Sequence, residues 1–272
     1  MIEIIQNIYK LVLGLCVGSF LNVVIFRLPQ EISIINPRSF CPNCKNKIIF
    51  RENIPIISWI LLKGRCSFCG TSINIRYPLI EILTGILFLV FSESSPELYN
   101  FNQNLFIENI FSWLFLSILL VISFIDIDYF WVPQSLINFG LLSGFFNLCL
   151  IGIYNNNNIL SIYLFEGLIA SIVSYLFFEI IRISAKVIYK RDALGKGDSK
   201  LVSMISIWLG PLGIILSLGI SYVIAAVLII ILLKLKKIKK GQMIPFAPFL
   251  SIGGLIIWYF GNQPLLRFIY SF

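Results

Sequence analysis

The chain contains no histidine. That absence removes Ser-His-Asp and Cys-His nucleophilic catalysis, together with every histidine-ligated metal site. Charge is also scarce: Asp, Glu, Lys and Arg supply 12% of the 272 residues, against roughly 25% in an ordinary soluble domain. The first apolar run has neither a basic leader nor a small-residue cleavage site, so no cleavable secretory signal is expected. The chain is mostly apolar instead, with 58% hydrophobic residues and 24 phenylalanines. Apolar runs close to membrane-spanning length recur from end to end. An all-α polytopic membrane protein is predicted.

The net charge of +8 is not spread evenly. Nearly all of the 21 Lys and Arg residues fall in segments 27–76, 182–200 and 234–240. The positive-inside rule places all three segments in the cytoplasm. The loops at 93–104 and 155–158 carry no Lys or Arg and are expected outside. Basic clusters hugging helix ends follow from topology, so membrane lipid is the expected partner and nucleic acid is not. Spans are predicted at 8–26, 78–91, 106–125, 132–153, 159–181 and 244–260. Between the cytoplasmic Lys200 and Lys234 an even number of passes is required, which implies two short spans broken near Gly210 and Pro211. About eight transmembrane helices result. The predicted organisation is a first transmembrane helix (1–26), a small cytoplasmic cysteine-rich insert (27–77) and a multi-helix membrane domain (78–272).

Two constellations carry chemistry. Within the insert, Cys41-Pro-Asn-Cys44 and Cys66-Ser-Phe-Cys69 form two knuckles whose four thiolates suit tetrahedral zinc or another thiophilic metal, as in a zinc ribbon. Cytoplasmic thiols stay reduced, which makes a disulfide pair the weaker reading. Cys16 and Cys149 lie inside apolar spans and are expected to pack in the core. The second constellation is acidic. Asp126 and Asp198 both sit where an apolar run meets polar sequence, at the same predicted cytoplasmic level. Ionisable residues there are functional candidates, and two carboxylates that meet can activate a water and protonate a leaving group. Two other readings stand beside this one. The acids around Lys196 and Lys200 are solvated loop charges, or Asp126 and Asp198 bind cations in a transporter. No inverted repeat or pair of broken helices supports the transporter.

With these residues assembled, the chain resembles the bacterial prepilin peptidases, members of the GxGD aspartic proteases. G-S-F-L-N-V-V-I-F-R-L-P at 18–29 is similar to the family's opening signature. C-P-N-C, N-I-P-I-I-S-W, G-R-C-S-F-C and R-Y-P-L-I-E follow in family order. D-I-D-Y-F-W-V-P at 126–133, G-K-G-D-S-K-L at 195–201 and I-P-F-A-P-F-L at 244–250 resemble the later motifs.

The resemblance implies an aspartic endopeptidase of the bacterial cytoplasmic (inner) membrane. It would cut the leader from type IV prepilins or pseudopilins at the cytoplasmic face and, as many members do, then N-methylate the new amine with S-adenosylmethionine; a peptidase without methylation is the alternative. It makes Asp126 and Asp198 the catalytic pair, with Asp128 a neighbour. It matches Cys41, Cys44, Cys66 and Cys69 to a tetrad found in methylating members. No methyl-donor site is readable from motifs. Lys196 and Lys200 either stabilise a carboxylate or anchor the helix end. Arg76 and Glu81 either pair or mark the start of their span. Glu166 and Glu179 must face protein or water. Three positions depart from the family pattern: Ala247 in place of a glycine, Gln134 after Pro133, and Ala193-Leu194 before the glycine motif.

Reporter fusions or cysteine labelling should place residues 27–76, Asp126 and Asp198 inside, and Glu93 and Asn156 outside. Opposite faces for the two aspartates would sink a shared-water mechanism.

Overall fold

The computed structural model describes residues 1–92, 105–154, 157–190, 195–239 and 242–270. Glu93, most of the two expected external loops, Asp192, Ala193 and Leu194 lie outside the described residues. The chain divides into two compact units, Met1–Glu93 and Ser94–Phe272.

The first unit contains α1 (Ile2–Arg27), α2 (Ile57–Leu61) and α3 (Arg76–Phe91). Helices α1 and α3 pack along each other. Gly14 and Gly18, one turn apart, set their spacing. A Cβ on Gly14 would lie 2.8 Å from the Gly85 Cα, and one on Gly18 would lie 2.8 Å from the Glu81 Cα. Small residues four apart let membrane helices approach to backbone contact, where dispersion replaces the missing hydrophobic drive. The packed face of α1 runs through Gly14, Gly18 and Leu21, so Cys16 falls beside it and is exposed, not in the core as expected. Cys149 is half-buried.

The second unit contains α4 (Leu105–Tyr129), α5 (Gln134–Tyr154), α6 (Asn157–Tyr189), α7 (Lys196–Lys234), α8 (Ala247–Phe260) and α9 (Gln263–Tyr270). Helix α7 breaks at Gly210 (φ 70, ψ −179), immediately before Pro211. The two legs fold back on each other. Gly254 lies against Ile205 of the first leg, while its neighbour Gly253 lies against Ser217 and Ser221 of the second. On a straight helix Ile205 and Ser217 would be about 18 Å apart. The expected pair of short spans is therefore present.

Trp208 ties the bundle together, stacking on Phe115 of α4 at 4.8 Å and donating its indole N–H to the Gly140 carbonyl of α5 at 2.9 Å. Trp258 of α8 likewise donates to the Ser112 hydroxyl of α4 at 3.0 Å. Both indoles are buried, so each N–H needs a protein acceptor.

Five helices, α1, α4, α5, α6 and α7, are long and apolar enough to cross a membrane. Helices α3 and α8, with 16 and 14 residues, are shorter. Counting the two legs of α7 separately, these make eight apolar helical segments among the described residues. Large apolar side chains such as Phe165, Ile215 and Val223 are exposed on the outside of the bundle, a surface that suits lipid and not water. The chain is an all-α, multi-pass membrane protein. Among the described residues, β-pairing is confined to two isolated bridges in the insert, Phe40 with Lys47 and Arg65 with Ser72.

A Cβ on Gly210 would meet nothing within 4 Å, so only the backbone conformation resists substitution there. Gly210→Ala is expected to cost about 1–3 kcal/mol, read as a lowered unfolding temperature in detergent with no change in cysteine-cluster metal content.

Candidate active site and metal centre

Asp126 lies in the last turn of α4 and is 6% exposed, whereas Asp128 is exposed. Two positions along a helix rotate the side chain by about 200°, so one acid points into the bundle and the other out. The Asp126 Oδ2 accepts the backbone N–H of Ala247 at 3.0 Å, at the start of α8. Ala247 is fully buried, and its amide serves as well as the glycine's in the resembling motif. Asp198 occupies the first turn of α7, where its Oδ2 accepts the Gly195 N–H at 3.3 Å and closes the helix start. An acid in the first turn also suits the helix dipole. Asp126 and Asp198 lie close enough for the charge of one to act on the other.

Neighbouring contacts hold this arrangement. Gly197 admits Val132 of the F-W-V-P stretch, whose Cβ would be 2.8 Å from any Cβ placed there. Lys200 donates to the Gln134 side chain, so it pins the α4–α5 connection to α7. Glu179 pairs with Arg182 one turn further along α6, and Glu166 is exposed on the same helix.

Tyr222, on the second leg of α7, was not singled out by sequence. Its ring packs on Phe246 at 5.3 Å, and it lies within reach of the Asp198 charge. A lone tyrosine within an Ile-Val-Leu run was the available signal.

In the insert, the two cysteine pairs fold as copies of one turn. The Cys41 N–H bonds the Asn46 carbonyl and the Lys45 N–H bonds the Cys41 carbonyl. Cys66 and Thr71, then Gly70 and Cys66, repeat both bonds. Lys45 and Gly70 occupy the equivalent positive-φ position, at 60° and 69°.

The four sulfurs lie within 4.8 Å of one another, with Cys41 and Cys69 at 3.9 Å. A tetrahedral ion with Zn–S bonds of about 2.3 Å requires sulfurs about 3.8 Å apart. The donor set fits zinc. The Thr71 hydroxyl and amide hold Cys69 down to about 6. The Asn46 amide favours the Cys44 thiolate, but burial and the three facing sulfurs push Cys44 up to about 11. A metal cation would remove that opposition among like charges.

Comparison with known proteins separates the same two units. Residues 12–94 match the family described as Bacterial Peptidase A24 N-terminal domain, and residues 113–230 match the Type IV leader peptidase family. A prepilin leader peptidase/N-methyltransferase of Stutzerimonas stutzeri is 34% identical over 93% of this chain and 90% of its own length. A type 4 prepilin-like proteins leader peptide-processing enzyme of Escherichia coli is 33% identical over 90% of this chain and 91% of its own. A prepilin leader peptidase/N-methyltransferase of Myxococcus xanthus is 34% identical over 82% of this chain, which spans 63% of that protein. No solved structure matches.

Metal analysis of the purified chain should find about one zinc per chain. Cys41→Ser combined with Cys44→Ser should release it, since two remaining thiolates cannot complete a tetrahedron. Retention of the full metal content by that double variant would exclude a four-cysteine site.

Proposed function

Because the chain belongs to the type IV leader peptidase family, we propose that it removes the leader of type IV prepilins or pseudopilins, with Asp126 and Asp198 as its catalytic aspartates. The observation that carries this reading is that the last turn of α4 and the first turn of α7 bring Asp126 and Asp198 within reach of each other's charge. Two such carboxylates share one proton and act as a unit. The ionised member takes a proton from a water, whose oxygen attacks the scissile carbonyl carbon. The protonated member donates to the carbonyl oxygen. Collapse of the tetrahedral adduct then breaks the C–N bond, and a proton passes to the departing amine. The Ala247 N–H keeps Asp126 oriented through these steps, and the surrounding apolar side chains strengthen each electrostatic contact.

The reaction belongs at the cytoplasmic face of the inner membrane, where the basic segments place Asp126 and Asp198. Methylation of the new N-terminal amine follows. When bound, S-adenosylmethionine would supply that methyl group, its C–S bond giving way to the new C–N bond with release of S-adenosylhomocysteine and a proton. Zinc at Cys41, Cys44, Cys66 and Cys69 would hold the insert folded and takes no part in bond cleavage. In this reading segment 27–77 lies on the methyl-transfer side, and hydrolysis rests on Asp126 and Asp198 within 78–272.

Incubation with a prepilin, followed by mass spectrometry, reads both reactions at once as the loss of the leader mass and the gain of a methyl group. Asp126→Asn and Asp198→Asn should each lower cleavage by roughly a thousandfold or more, while the protein stays folded and inserted. Asp128→Asn should keep most of the activity. An essential Asp128 beside a dispensable Asp126 would overturn the assignment.

A further inference from the structure

Three stretches of the sequence take no part at the carboxylate pair: G-S-F-L-N at 18–22, N-I-P-I-I-S-W at 53–59 and R-Y-P-L-I-E at 76–81. In the first unit they converge on one cavity with about 380 Å³ of water-accessible space, next to the cysteine knuckles. That volume lies in the range of small-molecule sites. Its wall includes Asn22 of α1, Phe40, Glu52 and Trp59 of the insert, and Tyr77 and Glu81 of α3.

The cavity is a built site. Glu81 is 8% exposed, and its Oε2 accepts the Ile56 N–H at 2.8 Å. Ile56 holds φ 61 and ψ −52 to present that amide. Its neighbours close the three-residue turn through the Ile57 N–H and the Pro55 carbonyl. A β-branched residue is strained in that conformation, and such strain persists where surrounding structure imposes it, commonly at ligand sites. The Asn22 side chain donates to the Tyr77 carbonyl at 3.0 Å, locking α1 to the start of α3.

The charge of the wall restricts the ligand. Arg27 is the one cationic side chain among the described lining residues. Its guanidinium is taken by the Ser33, Ile34 and Arg38 carbonyls and lies 5.4 Å over the Phe40 ring. A phosphate would find no free cation there. Two carboxylates, Glu52 and Glu81, and the rings of Phe40, Trp59 and Tyr77 suit a cation carrying an aromatic group instead.

We propose that this cavity is the binding site for S-adenosylmethionine, the carboxylates answering its sulfonium and ammonium charges and the aromatic rings its purine. The proposal rests on the methylation half of the function above.

Calorimetry on the purified full-length chain in detergent tests it directly. Glu81→Gln keeps the shape and the acceptor for Ile56 but removes the charge. It should weaken S-adenosylmethionine binding about tenfold, and weaken S-adenosylhomocysteine, which lacks the sulfonium charge, clearly less. Ultraviolet crosslinking of radiolabelled S-adenosylmethionine should map to residues 40–81. Glu52→Gln, judged beside it by melting temperature and metal content, supplies the same comparison should Glu81→Gln misfold. Unchanged affinity in both variants, an equal loss for both ligands, or a crosslink within 105–270 would overturn the site. A wild-type chain that cleaves prepilin yet adds no methyl group would overturn the methylation reading itself, with hydrolysis left standing.

Discussion

A carboxylate enclosed by apolar helices must be given a hydrogen-bond donor, and Asp126 takes its donor from the backbone of Ala247. Leaving such a group uncompensated costs about 3–5 kcal/mol, a large share of a folded protein's stability. Much of the second unit follows from that requirement. The Ala247 amide is available because it belongs to the first turn of α8, where backbone N–H groups have no partner within the helix. Helix α8 in turn is held by the folded-back legs of α7, and the first of these legs carries Asp198. Breaking α7 at Gly210 is thus what lets one helix both present an acid and support the donor of the other.

The first unit solves a similar problem by different means. Glu81 is buried where α1 and α3 approach to backbone contact through Gly14 and Gly18. Its donor also comes from a main-chain amide, that of Ile56, but in a strained turn and not at a helix start. In both units a buried acid relies on backbone N–H groups. These have no side-chain entropy to lose and cannot carry off the charge.

Much of this was legible in the sequence. Span positions followed from apolar run lengths matched to a hydrocarbon thickness, and the folding back of α7 followed from the parity of crossings between Lys200 and Lys234. The cysteine knuckles declared themselves by spacing, but the left-handed turns at their tips, at Lys45 and Gly70, were not read from sequence. Lys45 carries a side chain in that conformation, so its residue type gave no sign of the turn. Nor did the Ile56 amide that donates to Glu81 announce itself, because backbone donors carry no residue signature and depend on a register set by distant packing. The same is true of Ala247. Tyr222 escaped notice because a tyrosine in an apolar run reads as packing until the chain reverses and brings it toward Asp198. Cys16 was misjudged because apolar context does not say which face of a membrane helix meets protein.

The shortness of the helices around the acidic site bears on how a hydrolase can work inside lipid. The first leg of α7 spans about 21 Å and so does α8, against a hydrocarbon layer of about 30 Å. The hydrophobic mismatch has to be met by a thinned leaflet or by water entering beside the helix ends. Either response shortens the path between bulk solvent and the carboxylates. The protein thereby gains a supply of its second substrate, water, from the dimension of two helices and without a dedicated channel.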